Sequence, residues 1–297
     1  MDRVFPLKQK GNDMLRCMNE SDLKQAAALS ASACAARDMQ SYPLCKGAEA
    51  YESKYRRWLS DPRGGLLCCE SGGRIAGVLG YEFEPEPMYL QTTAFLAWEN
   101  RVEAYAAYVS HLRERFSGYT AYVGLTAENG LAAEALCTAG FALAEASSDL
   151  RLSPTVFTPC APVSGIQRIS EADFTAYASF HDAHFSGIYW NAARLHAAPD
   201  GWYIFAYVPD GTILGSIFLK VQGTLAEVFG LAFTGPEEAE RAAAPLLSHT
   251  LRVVLSENPA VESIVFFADE EDGQSLSAAA ACGFITYSRY RLYASVL

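Results

Sequence analysis

The sequence predicts a protein of the α/β class, α+β in layout, built as two tandem copies of one domain. Three observations carry this. Glu128-Asn129-Gly130 leads through a short Ala-rich stretch to Ala139-Gly140-Phe141, and Glu271-Asp272-Gly273 leads through another to Cys282-Gly283-Phe284, with the same spacing from the first Gly to the Phe. Ile75-Ala76-Gly77 and Ser110-His111 recur as Ile213-Leu214-Gly215 and Ser248-His249, both at an offset of 138. The chain is 297 residues long, which fits two domains of about 150 residues, each able to bury its own core. A repeat this long is a duplicated domain and not a solenoid unit.

The elements follow in the same order in each half. Leu15 to Met18 and Ile166 to Ile169 read as short extended segments, each followed by a capping-type start, Asn19-Glu20-Ser21-Asp22 and Ser170-Glu171-Ala172-Asp173, and a helix. Hairpins come next. Leu66 to Glu70 turns at Ser71-Gly72-Gly73 into Arg74 to Glu82, and Trp202 to Val208 turns at Pro209-Asp210-Gly211 into Thr212 to Val221. A third strand covers Met88 to Ala97 and Leu225 to Phe233. The helix after it repeats apolar residues at helical spacing, through Val102, Tyr105, Ala106 and Val109 in one half and Ala243, Leu246, Leu247 and Leu251 in the other. Tyr119 to Leu125 and Ser263 to Ala268 form the next strands, and a short helix and a final strand close each copy. Tyr42, Tyr51, Tyr55 and Trp58 lie in an extra stretch of the first copy and are read as packing residues or a helical rim.

Pro154, Pro159 and Pro162 forbid a continuous helix and favour an extended connector. The expected domains are therefore 1–153 and 166–297, joined by a linker at 154–165.

Composition bounds the function. Through residue 160 there are 16 Lys and Arg against 19 Asp and Glu, and beyond it 7 against 15, within a net charge of −11. An acidic second half disfavours nucleic acid and mildly favours a cationic small molecule or basic peptide. No apolar run approaches the ~20 residues of a bilayer span, and Met1-Asp2-Arg3-Val4 opens no signal-peptide pattern. The expectation is a cytoplasmic protein without a membrane partner. The eight cysteines include the adjacent Cys68 and Cys69 and no pair at metal-knuckle spacing, so they read as reduced, mostly buried thiols. His181 and His184 stand one helical turn apart without a further ligand and read as surface or rim residues; no metal is expected.

The element order, with the closing Gly-Phe of each half, resembles the GNAT acetyltransferase family across nearly the whole chain, twice over. The resemblance implies a mixed, mostly antiparallel sheet flanked by helices in each half, splayed between its fourth and fifth strands to admit acetyl-CoA as co-substrate. It also implies a diphosphate site on the amides that open the following helix, in the pattern Arg/Gln-x-x-Gly-x-Gly/Ala. Bare N–H groups at a helix start make such an anion site.

Arg101-Val-Glu-Ala104-Tyr-Ala106 keeps the Arg and the small residues but has Ala104 where Gly is usual, whereas the second copy offers Ala239-Glu-Arg-Ala242-Ala-Ala244 behind Glu237-Glu238. Arg101, Ala104 and Ala106 are thus the candidate diphosphate helix, and Asn129 the candidate pantetheine contact or helix cap. A Tyr acid of the family is replaced by Leu136 and Ala279. Glu227, in an otherwise apolar strand where some members keep a catalytic Glu, is the candidate base, with Tyr89 at the matching offset. Tyr189 and Trp190 are candidate acceptor-pocket or core residues. The implied activity is transfer of an acetyl group to a primary amine of a small molecule or peptide. The alternative is a non-catalytic binding or regulatory protein with degenerate coenzyme motifs. Acceptor and oligomeric state are not encoded in any motif.

Overall fold

The computed structural model describes residues 14–297; Met1 to Val4, read above for targeting, lie outside them. The chain divides into two units. Unit 1 is Met1–Ala146 with Tyr290–Leu297, and unit 2 is Ser147–Arg289.

Unit 1 holds β1 (Leu15–Cys17), α1 (Leu23–Ala33), α2 (Gly47–Ser60), β2 (Gly64–Ser71), β3 (Arg74–Glu84), β4 (Tyr89–Ala97), α3 (Arg101–Arg115), β5 (Thr120–Thr126), α4 (Gly130–Thr138) and the start of β6 (Ala142–Leu152). Unit 2 takes the rest of β6, then β7 (Ile166–Arg168), α5 (Phe174–His184), α6 (Ala192–Ala197), β8 (Trp202–Tyr207), β9 (Gly215–Gln222), β10 (Leu225–Phe233), α7 (Pro236–Glu257), β11 (Ser263–Asp269), α8 (Gly273–Ala281) and the start of β12 (Ile285–Val296). Element order agrees with the sequence reading. The second strand of the later hairpin starts at Gly215 rather than Thr212, because Pro209 to Leu214 is spent on the turn.

Each unit is a mixed sheet between two helical layers. In unit 1 the strands run β1-β2-β3-β4-β5, antiparallel except for the parallel pair β4–β5. Cys69, Leu79, Phe95, Val123 and Leu125 face α3 and α4, while Cys68, Val78, Ala94 and Leu96 face α1 and α2. This is the period-two alternation of a sheet buried on both sides. It also sends Cys68 and Cys69 to opposite faces. All eight cysteines are free; Cys68, Cys69 and Cys282 are buried, and the others are half-buried or exposed, fewer buried than composition suggests. Tyr51, Tyr55 and Trp58 pack with α1, as packing residues do.

In unit 2 the order is β7-β8-β9-β10-β11-β6, and β10–β11 is the parallel pair. The α7 and α8 side buries Ile217, Leu219, Val228, Ile264 and Phe266. The α5 and α6 side buries Tyr177, Leu195, Trp202 and Phe218.

The last strand of each half departs from the expected boundaries. Ser147–Leu152 of β6 pairs antiparallel with Asp269–Ile264 of β11, and Tyr290–Val296 of β12 pairs antiparallel with Thr126–Thr120 of β5. Unit 1 is therefore closed by the end of the chain, and unit 2 by the strand that precedes the linker. The linker itself docks: Phe157, Cys160 and Val163 pack on the unit 2 core, and Ser248 Oγ accepts from the Cys160 amide at 2.9 Å.

The repeated phrase has a local explanation. Asn129 accepts from the Ala132 amide and Asp272 from those of Gln274 and Ser275, capping α4 and α8. Gly140 and Gly283 adopt φ of 78° and 94°, the left-handed conformation that ends a helix at lowest cost in glycine. The Phe141 and Phe284 amides then bond back to Leu136 and Ala279 carbonyls at 3.0 Å, and both rings are buried.

Candidate active site

Both parallel strand pairs join over a short stretch and then part. In unit 1, β4 and β5 pair only from Tyr89–Thr120 to Gln91–Tyr122. Beyond that point the opening holds the chain's own segment 37–42. Ser41 bridges Leu125 in antiparallel fashion, the Tyr42 amide donates to the Gly124 carbonyl at 2.8 Å, and Ser41 Oγ accepts from the Phe95 amide of β4 at 2.9 Å. Gln40, Ser41 and Tyr42 are buried.

The candidate coenzyme residues meet at this segment. Arg101 opens α3, and its guanidinium donates to Asp38 Oδ2 at 2.9 Å and to the Asp38 carbonyl. Asn129 is fully buried; besides capping α4 it donates to the Gln40 carbonyl at 3.1 Å and accepts from Arg101 Nη2 at 3.4 Å. Ala104 lies on the buried side of α3, packed into the unit 1 core. Ala106 is exposed and lines, with Val102, Leu131 and Ala135, a groove of about 460 Å³ between α3 and α4. The structure thus brings Arg101 and Asn129 together, around a segment of this chain. Tyr89, at the offset of Glu227, donates to Gln91 and stacks on Tyr122.

In unit 2, β10 and β11 pair from Leu225–Ser263 to Val228–Phe266. A bulge in β10 follows between Val228 and Gly230. Among the described residues this opening has no isolated bridge like that of Ser41 and Leu125. Glu227 sits two residues before the bulge, half-buried in a central strand and not at an edge. Directly opposed residues share a sheet face, so Glu227 lies in a row with Lys220 of β9, Val265 of β11 and, opposite Val265, Arg151 of β6. Burial pushes the Glu227 carboxyl up to about 7, with Arg151 lowering it and Asp149 raising it. Asp149 is fully buried and takes both oxygens to Arg151, the Oδ2 bond to Nη2 measuring 2.7 Å. The sequence reading missed this pair. Its signal was an Asp and an Arg two apart in a strand, which period two places on one face.

The same face carries an aromatic wall. Lys220 Nζ lies 4.6 Å from the Trp190 ring and 5.0 Å from that of Trp202, and Phe229 packs on Trp202 and Phe218. His181 holds the loop that carries Trp190. It is completely buried, contrary to a surface or rim position, with Nδ1 2.8 Å from Tyr177 OH and Nε2 2.8 Å from the Trp190 carbonyl. Among the described residues no group of three His, Cys, Asp or Glu side chains could hold a metal ion.

Burial lowers the His181 pKa below 6.5, and the neutral ring satisfies both partners by donating from Nε2 and accepting at Nδ1. The unfolded chain then binds more protons, so the stabilisation is present above pH 6.5 and is lost as the pH falls toward the folded value. The stability difference between the wild type and His181→Gln, from urea titrations between about pH 7.5 and 5, is expected to change with pH in this direction, shrinking as the pH falls; a difference independent of pH would exclude His181 as its source.

The start of α7 differs from that of α3. Glu237 and Glu238 occupy its first turn, and a Cβ on Gly235 would meet Glu238 Oε2 at 2.8 Å, so a carboxylate rather than a cation lies at this helix start. Among the described residues no helix is long and apolar enough to cross a membrane.

No protein-family model matches the chain, and no curated protein sequence matches it. Solved structures do. A GCN5-related N-acetyltransferase from Sphaerobacter thermophilus is similar at a TM-score of 0.68, with 15% identity over 95% of this chain and 95% of that one. A tandem GNAT protein from the clavulanic acid biosynthesis pathway is similar at a TM-score of 0.59, with 16% identity over 95% and 97%. A GNAT-family acetyltransferase from Colwellia psychrerythraea follows at 0.54, with 15% identity over 94% and 98%. With the doubled sheet and its two partings, these likenesses establish that the chain has the tandem GNAT fold.

Proposed function

We propose that the chain transfers an acetyl group from acetyl-CoA to a primary amine, with unit 2 as the working copy and Glu227 as the base. The observation that carries this is a carboxyl raised to about 7 beside the parted strands β10 and β11. A general base works best when its pKa lies near the operating pH. An alkylammonium reaches the row of Glu227, gives up a proton to the carboxylate directly or through one water, and attacks the thioester carbonyl from the α5 and α6 side. The C–N bond forms, the nitrogen releases its second proton to solvent as the C–S bond breaks, and the thiolate takes its proton from solvent, since Leu136 and Ala279, where the resemblance places a Tyr acid, are fully buried. Lys220 on the same face disfavours a strongly cationic acceptor and tempers the expectation drawn from net charge.

The non-catalytic reading rests on one specific feature, the acidic first turn of α7, which repels a diphosphate. Calorimetry separates the two. Acetyl-CoA and desulfo-CoA are expected to bind the intact chain, and amine-dependent thiol release to follow; no binding at near-millimolar ligand would leave the non-catalytic reading.

A further inference from the structure

The segment 37–42 is held from both sides of the unit 1 opening. On the β5 side the Tyr42 amide bonds Gly124, the Thr126 amide reaches the Gln40 carbonyl at 3.5 Å, and Thr126 Oγ1 donates to the Arg37 carbonyl at 2.6 Å. On the β4 side the Phe95 amide finds Ser41 Oγ. At its start Arg101 grips Asp38, and at its centre Asn129 and the Gln40 side chain, which donates to the Cys34 carbonyl at 2.6 Å, fix the backbone. The approach is close enough to need glycine on β5: a Cβ on Gly124 would lie 3.0 Å from Tyr42 Cβ and 2.9 Å from the Tyr290 ring. The Phe95 and Thr126 amides and the Gly124 carbonyl, which two parting strands would otherwise leave bare, thereby find partners in the same chain.

We propose that residues 37–42 are a built-in occupant of the unit 1 opening, so that an acyl thioester of coenzyme A binds once per chain, in unit 2, while Arg101 and Asn129 clasp this internal strap. The identity of the ligand rests on the acetyl-transfer reading; the strap does not. A pantetheine arm and the strap would compete for the Phe95 amide of β4 and the Gly124 carbonyl of β5, and the strap has the advantage of being tethered at both ends. Arg101, the cation that the α3 start would offer to a diphosphate, is already neutralised by Asp38.

The test pairs hydrogen exchange with calorimetry on the full chain. Amides of Tyr42 and Phe95 are expected to be protected and to stay protected at millimolar acetyl-CoA, with a binding stoichiometry of one. Asp38→Arg, which sets like charges against each other at Arg101, is expected to speed Tyr42 exchange by about ten-fold or more and to leave acetyl-CoA affinity unchanged. Ser41→Ala, a milder change, is expected to act on the Phe95 amide. A stoichiometry of two, protection lost on adding acetyl-CoA, or affinity changed about ten-fold by Asp38→Arg would overturn the proposal. Should the wild type bind no acetyl-CoA, the acetyl-transfer reading fails, and exchange alone decides: protected Tyr42 and Phe95 amides uphold the strap, and rapid exchange removes it.

Discussion

Glu227→Gln is expected to lower kcat/KM for acetyl transfer by about 10²–10⁴-fold, the usual contribution of a positioned general base. In the wild type the same parameter should rise with pH and level off above an apparent pKa of about 7, where the carboxyl loses its proton; in the variant that limb should vanish. The variant should also be more stable. A carboxyl raised from 4.5 to about 7 binds its proton more tightly in the folded chain, so stability falls as the pH rises from 4.5 to 7 and the deficit is complete above 7. Replacing it by a neutral amide should recover about 3 kcal/mol at most near pH 8, and nothing at pH 4.5. Activity loss joined to a stability gain separates a site carboxyl from a packing residue. Loss of both would mark Glu227 as structural, and retained activity would move the base elsewhere.

Deleting Tyr290–Leu297 is expected to unfold unit 1 rather than unit 2, although the deleted residues follow unit 2 in the chain. Tyr290–Val296 is the antiparallel partner of all of β5, Leu297 closes the ladder by bonding Tyr119 and Gly118 at 2.9 Å, and Tyr293 and Leu297 pack on the unit 1 core. The loss of this ladder and its apolar contacts should cost about 5 kcal/mol or more, and it leaves β5 as a bare, mostly buried-type edge prone to aggregate. Hydrogen exchange with mass spectrometry should show protection collapsing across residues 15–141 and persisting across 166–284. Unchanged protection in β5 would contradict the pairing, and a uniform loss over the whole chain would show that the two units unfold as one.

The parts of the fold that were legible in the sequence are those set by neighbours in the chain. Alternation through Leu66 to Glu70 marks a strand whichever partner it finds, and Gly140 and Gly283 mark helix ends because only a residue without Cβ takes that conformation cheaply. The exchanged final strands were not legible: β6 and β12 have strand patterns, but the pattern specifies which face is buried and not which strand lies alongside. The candidate site divides in the same way. Glu227 stood out as a lone carboxylate in an apolar strand, but the burial that raises its pKa is set by the strands and helices that folding brings around it. Arg101 and Asn129 were singled out by the family resemblance, yet nothing in the sequence pattern pointed to Asp38 and Gln40, which come from a segment without helical or strand periodicity.

By itself the sequence determined that the chain is a doubled α/β protein, the order of its elements, the caps and turns that bound them, and the few polar residues worth weighing. Tertiary structure alone decided that the end of the chain completes unit 1, that one strand opening holds residues 37–42 and the other has, among the described residues, no such bridge, and that Arg151 sits in the row of Glu227 with Asp149 paired to it. The division is physical. Local conformation follows from sterics and hydrogen bonding within a few residues, whereas pairing, occupancy and the charge of a buried carboxyl depend on groups that only folding brings together.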